Sequence, residues 1–198
     1  MMLVMGHHLR EIDPAVPLAH ADDYARRLGA AMLSAEINTE LRQAAFLAQV
    51  LWESCHLQRL EEMASGSAYE GRIDLGNTCP GYGVRYKGRG WMMLSGQKNY
   101  AWAERVTGLP LLEWPELAAH PDNAALIAAK FWTEGAALNL SRKAKKHLGD
   151  VTNLNVLADN RDFDGVTMAI NGDATPTAPS YQIERVKLYE CALQVLRA

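Results

Sequence analysis

A mainly α fold, a helical bundle with one glycine-rich insertion forming a cleft, is the class this sequence predicts. Apolar residues recur at helical spacing through most of the 198 residues. One stretch breaks that pattern: Gly66, Gly71, Gly76, Pro80, Gly81, Gly83, Gly88 and Gly90 crowd into residues 65–90. That density of chain-bending residues marks loops and a small β-hairpin, and a loop-rich stretch of this length in a compact domain is usually functional. No internal repeat or low-complexity tract interrupts the chain. The length predicts a single domain over 1–198, with two lobes around the cleft and no separate binding module.

The helices follow in order. Residues 21–33 have helical spacing and an acidic start in Asp22-Asp23. Residues 39–53 form a second helix with Thr39 as N-cap. Ala44, Ala45, Phe46, Leu47, Val50 and Leu51 make it apolar nearly all round, so it is a buried central helix. Helical signals return at 95–107, with Ser95 as N-cap, and at 121–138, opened by Pro121-Asp122-Asn123. Residues 151–158, 161–171 and 180–197 complete the pattern, with Pro176 and Pro179 separating the last two.

Composition excludes several classes. A net charge of −3 does not suit a strongly basic nucleic-acid binder. No apolar run reaches the roughly 18–20 residues of a membrane span. Met1-Met2-Leu3-Val4-Met5 is too short for a signal h-region and has no basic segment before it. The expectation is therefore a protein made in the cytoplasm without a signal peptide. Cys55, Cys79 and Cys191 are an odd number without CxxC spacing, which argues against a disulfide framework or a structural zinc.

Glu53 carries the most chemical information. It ends an apolar helix in Leu51-Trp52-Glu53-Ser54, where a carboxyl group costs energy unless it is paired or its pKa is raised. Beside Trp52, a raised pKa would suit a general acid. The plainer alternative is a helix-end glutamate touching solvent or an arginine such as Arg59. Glu61-Glu62 follow, and two carboxylates at a cleft can divide acid and base roles. On one straight helix Glu53 and Glu62 would lie on opposite faces, about 13 Å apart along the axis. A catalytic pair therefore requires the helix to end or bend between Ser54 and Glu62. Trp91, next to the glycine-rich loop, is a candidate sugar-stacking aromatic. The basic run Arg142, Lys143, Lys145, Lys146 and His147 is either a solvated helix face or a surface for an anionic polymer.

Three blocks resemble the glycoside hydrolase family nineteen, which joins plant-type and bacterial chitinases with phage endolysins of lysozyme-like α+β fold. They are Ala44-Ala45-Phe46-Leu47-Ala48-Gln49-Val50-Leu51-Trp52-Glu53-Ser54, the long run from Tyr86-Lys87-Gly88-Arg89-Gly90-Trp91 to Gln97-Lys98-Asn99-Tyr100, and Ala169-Ile170-Asn171-Gly172 with Arg185 and Tyr189 after it. Glu70-Gly71-Arg72, Leu75-Gly76-Asn77 and Pro80-Gly81 look more like the endolysins. The resemblance implies Glu53 as general acid, Glu62 as general base and Ser95 as the group that helps hold the attacking water. It implies substrate contacts by Asn99, Asn171 and Arg185, and the middle block adds Tyr86, Arg89 and Trp91. It implies an inverting mechanism with carboxyls about 6.5–9.5 Å apart. Neither metal nor cofactor is implied. The implied partner is peptidoglycan or chitin, bound by a monomer that acts on the wall after release. A third possibility is a catalytically weak glycan-binding protein. Three departures motivate it: Trp52 in place of a histidine, Cys55-His56 in place of small residues, and Met93 in place of a glutamine.

Overall fold

A computed structural model describes residues 3–171 and 179–197. Gly172 and Pro176, used in the sequence reading, lie outside the described residues. The helices are α1 (Gly6–Ile12), α2 (Ala21–Ser34), α3 (Glu40–Glu53), α4 (Tyr82–Arg85), α5 (Gln97–Thr107), α6 (Pro121–Lys130), α7 (Arg142–Leu148), α8 (Leu154–Asp159), α9 (Phe163–Asn171) and α10 (Pro179–Arg197). None of the described helices is long and apolar enough to cross a membrane.

Helix α3 is the central rod. Thr39 caps it by accepting a hydrogen bond from the Arg42 backbone N–H at 3.3 Å. Every residue from Gln43 to Leu51 is buried, and α10 lies along it. Burying Phe46, Leu47, Val50 and Leu51 is worth about 1.5–3 kcal/mol each. Around α3 gathers a first apolar core drawn from α1, α2, α6, α8, α9 and α10. A second core, containing Tyr86, Leu94, Tyr100, Trp102, Leu111 and Ile127, forms around α5. Met92 and Ile170 pack against both.

Local differences from the sequence expectation have identifiable causes. The helix expected from Ser95 begins at Gln97, with Gly96 as N-cap at φ +88°. A Cβ at Gly96 would stand 2.7 Å from Leu75, so the approach of that loop needs glycine here. The helix expected over 121–138 stays α-helical only to Lys130. It then widens into a π turn at Phe131–Gly135 and tightens into a 3-10 turn at Ala136–Asn139. The expected hairpin is reduced to two antiparallel bridges among the described residues, Glu61 to Arg89 and Arg89 to Leu94. Helices α1 and α4 were not read from sequence, being only seven and four residues long.

The required break after Glu53 is present. Residues Cys55, His56 and Leu57 all have left-handed backbone, with φ of 50°, 64° and 60°. Such backbone costs roughly 1–2 kcal/mol per residue without glycine. Three side-chain anchors hold the turn. Ser54 Oγ accepts from the Leu57 N–H at 2.8 Å. His56 Nδ1 meets Asp13 Oδ2 at 2.5 Å. Gln58 Nε2 donates to the Ala15 carbonyl at 2.9 Å.

Candidate active site

A cleft of about 530 Å³ opens along the seam of the two cores, where Met92 and Ile170 both line it. Glu53, at the C-terminal end of α3, forms part of its wall, as do Ser95, Asn99 and Asn171. The structure thus brings four of the polar residues named from the sequence together on one cavity.

Glu53 is held from behind. Its Oε1 pairs with Arg185 Nη2 at 2.5 Å, and that same nitrogen donates to Asn171 Oδ1 at 3.1 Å. The Arg185 side chain is 4% exposed, whereas that of Glu53 is 21% exposed and reaches the cleft. Arg185 Nη1 donates to Gln49 Oε1, and Gln49 Nε2 donates to Thr167 Oγ1 at 2.9 Å. This buried relay joins α3, α9 and α10 at the carboxylate. Both Nη atoms of the guanidinium are paired, which offsets the cost of burying it, while Nε has no hydrogen-bond partner among the described residues. Arg59 plays no part in it. Nor does Trp52 cover the acid from the cleft side. Its ring lies against the Arg185 guanidinium, 5.7 Å from Cζ, and lines a separate hollow with Asp13, His56 and Cys191.

Glu62 is placed by the residual β pairing. Its N–H donates to the Gly88 carbonyl at 3.0 Å, and Gly90 N–H donates to the Leu60 carbonyl at 2.8 Å. Extended backbone sends neighbouring side chains to opposite faces. Glu61 accordingly turns to Lys87 at 2.6 Å and Arg89 at 3.5 Å. The Lys87 hydrogen bond, helped by Arg89, holds its carboxyl below the usual glutamate range. Glu62 turns to the other side. Its Oε2 accepts from the Tyr69 hydroxyl at 2.9 Å. Its Oε1 is covered and has no hydrogen-bond partner among the described residues.

Ser95 stands beside Glu62: a Cβ on Gly88 would lie 3.2 Å from Glu62 Oε2 and 3.3 Å from Ser95 Oγ. At this point Ser95 forms the cleft wall, with Glu62 next to it and outside the lining. Ser95 Oγ donates to the Met93 carbonyl at 2.8 Å. Met93 faces the cleft with left-handed backbone, φ 47°, a strained conformation of the kind that clusters at functional sites. Asn99 Nδ2 donates to the Ser95 carbonyl at 2.7 Å, while its buried Oδ1 is unpaired.

Tyr69 is the functional residue that sequence reasoning missed. Its hydroxyl touches Glu62 and lies within reach of Ser95. Burial first, and donation to Glu62 second, push the phenol upward, so it stays protonated as a donor. It sits in a 3-10 turn at Ser67–Tyr69 with no periodic signal to mark it.

Three expected sugar contacts are corrected. Trp91 is 0% exposed and packs edge-on against Tyr24, with ring centroids 5.2 Å apart. Tyr86 is 4% exposed, stacks in the second core, and donates to the Leu112 carbonyl at 3.1 Å. Arg89 is 8% exposed and donates to the Arg85 carbonyl at 2.9 Å and the Tyr100 hydroxyl at 3.1 Å. All three are buried and none lines the cleft. Tyr189, part of the third block, stacks flat on Phe163 at 4.4 Å.

The chain has the fold of solved family 19 chitinases. The chain is similar to chitinase C from Streptomyces griseus, with 22% identity over 99% of this chain and 77% of that one and a TM-score of 0.73. It is equally similar to a bacterial family 19 chitinase: 22% identity, 98% and 95% of the two chains, TM-score 0.73. A class IV chitinase of family GH19 from Zea mays aligns at 24% identity over 87% and 81%, with a TM-score of 0.64. No family model matches the sequence.

Proposed function

We propose that this protein is a glycoside hydrolase that cleaves β-1,4 bonds between amino sugars with inversion. One observation carries the reading. The chain turns sharply after α3, so that Glu53 reaches a cleft whose wall at Ser95 adjoins Glu62. Glu53 protonates the leaving glycosidic oxygen, and Arg185 stabilises the anion left behind. Ser95 holds a water at the wall. Glu62, oriented by Tyr69 on one oxygen, takes the water's proton on the other. This requires Glu62 to turn its covered oxygen toward the cleft when substrate binds. Asn99 and Asn171, both in the lining, supply hydrogen bonds to the sugars.

Peptidoglycan is the first candidate substrate, and the protein would reach it in the cell wall after release. The endolysin-like wording of Glu70-Gly71-Arg72 and Pro80-Gly81 supports it. Chitin is the second, supported by the chitinases that share the fold. Both polymers carry β-1,4-linked N-acetylglucosamine, so one acid pair serves either.

The test is turbidity loss of outer-membrane-permeabilised Gram-negative cells beside release of soluble sugar from chitin, with Glu53→Gln as control. Clearing that needs Glu53, with little chitin release, supports the first substrate. Chitin release alone supports the second. Binding without hydrolysis of either would overturn the enzymatic reading in favour of a glycan-binding protein.

A further inference from the structure

Helix α7, which begins two residues after Leu140 of the cleft lining, carries a cationic face. Leu138 and Leu140 line the cleft, and Ser141 caps α7 immediately afterwards, accepting from the Ala144 N–H at 3.1 Å. The helix is held to the body by Ala144 and Leu148, which are buried. Arg142, Lys145 and Lys146 are exposed. At 3.6 residues per turn these three fall within an arc of about 100°, turned away from Ala144 and Leu148. Helix α7 contains no acidic residue. Among the described residues, none of the three cations has a carboxylate partner. Lys98 adds a fourth charge in the cleft lining itself. Its Nζ donates only to the Leu138 carbonyl, at 3.0 Å. Elsewhere several surface cations are matched, as in Arg42 with Asp159 and Arg72 with Asp74. A protein of net charge −3 thus carries unneutralised positive charge on Lys98 of the cleft lining and on the helix that starts two residues after the lining residue Leu140.

We infer that Lys98, Arg142, Lys145 and Lys146 form a docking surface for the carboxylates of peptides borne on a glycan strand lying in the cleft. The inference rests on the glycosidase reading above and selects between its two substrates. A chitin chain is uncharged and has nothing to offer these cations. A peptidoglycan strand carries short peptides ending in carboxylates on alternating sugars. Helix α7 is about 10 Å long, which suits side groups projecting from a strand and not the strand itself. Exposed ion pairs contribute individually little and are screened by salt, so the surface acts through several charges together and its effect is salt-dependent.

The test is co-sedimentation of the Glu53→Gln protein with purified peptidoglycan sacculi and with chitin particles, from low to high salt. Arg142→Gln/Lys145→Gln/Lys146→Gln in the same background is the comparison, with circular dichroism to check its fold. The expected result is binding to sacculi that weakens roughly tenfold in the triple variant and at high salt, while chitin binding moves less than about twofold. Sacculi stripped of their peptides by an amidase should behave like chitin. Lys145→Arg/Lys146→Arg, which keeps the charge, should bind as the parent does. Equal binding of the triple variant to intact sacculi overturns the proposal, as does double-stranded DNA competing sacculi away at lower concentration. The binding arms are read without turnover. A failure of Glu53-dependent hydrolysis in the parent therefore counts against the enzymatic reading and is separable from a failure of the docking surface.

Discussion

Arg185 makes Glu53 a residue with two separable roles. Its guanidinium is almost fully buried and has Glu53 as its anion. Glu53→Gln keeps an oxygen to accept from Arg185 but removes both the transferable proton and the counter-charge, so hydrolysis should vanish and the thermal unfolding temperature should fall by less than in Glu53→Ala. Glu53→Ala leaves the guanidinium unpaired and should lower stability by about 1–3 kcal/mol, which calorimetry would register. Next along the chain, Glu61 and Glu62 separate by face. Glu62→Gln should lower kcat by roughly a hundredfold or more, and Glu61→Gln far less. Glu61 acts on stability instead. Its folded-state carboxyl is held below the ordinary value, chiefly by Lys87. Its contribution is therefore full above the unfolded glutamate range and is lost as pH falls through the folded value. The stability gap between parent and Glu61→Gln should be present at neutral pH and close in acid. The side chain is 41% exposed, so solvent keeps the gap small.

At the scale of elements, two short segments set the site. The left-handed turn at 55–57 redirects the chain between the two carboxylates, and the buried Asp13 holds it through His56. His56→Ala should destabilise the protein by about 1–3 kcal/mol, because Asp13 loses its partner and the turn loses an anchor; chemical denaturation would measure it. Gly88 has no such backbone demand, but a Cβ there would crowd the side chains of Glu62 and Ser95. Gly88→Ala should cut kcat with little change in stability, since only the movable ends of those two side chains are crowded. The long apolar helix ending at Glu53 was legible in the sequence because periodicity and capping agreed there. The need for a break after it was legible from the helical geometry of a nine-residue spacing. The means of the break was not, since neither Cys55 nor His56 signals left-handed backbone. Trp91, Tyr86 and Arg89 were misread because a motif's residue types do not reveal which side chains support the cleft wall and which face it. Tyr69 was invisible, as its partner Glu62 is reached through a loop without periodicity.

The whole molecule places its cleft at the seam of two apolar cores, and Met92 and Ile170 belong to both. One core carries Glu53 at the end of its buried helix; the other carries Ser95 on the approach to α5. The two halves of the proposed chemistry thus sit on different apolar cores, to both of which α6 contributes. The proposed chemistry needs Glu53 and Glu62 to act from opposite sides of a glycosidic bond with a water between base and sugar. The most direct test is a proton NMR time course on a soluble β-1,4-linked amino-sugar oligomer, reading the anomer of each newly formed reducing end before it equilibrates. Inversion, seen as the α-anomer appearing first and disappearing in Glu53→Gln, is the predicted result. First appearance of the β-anomer, or hydrolysis that survives Glu53→Gln, would contradict it.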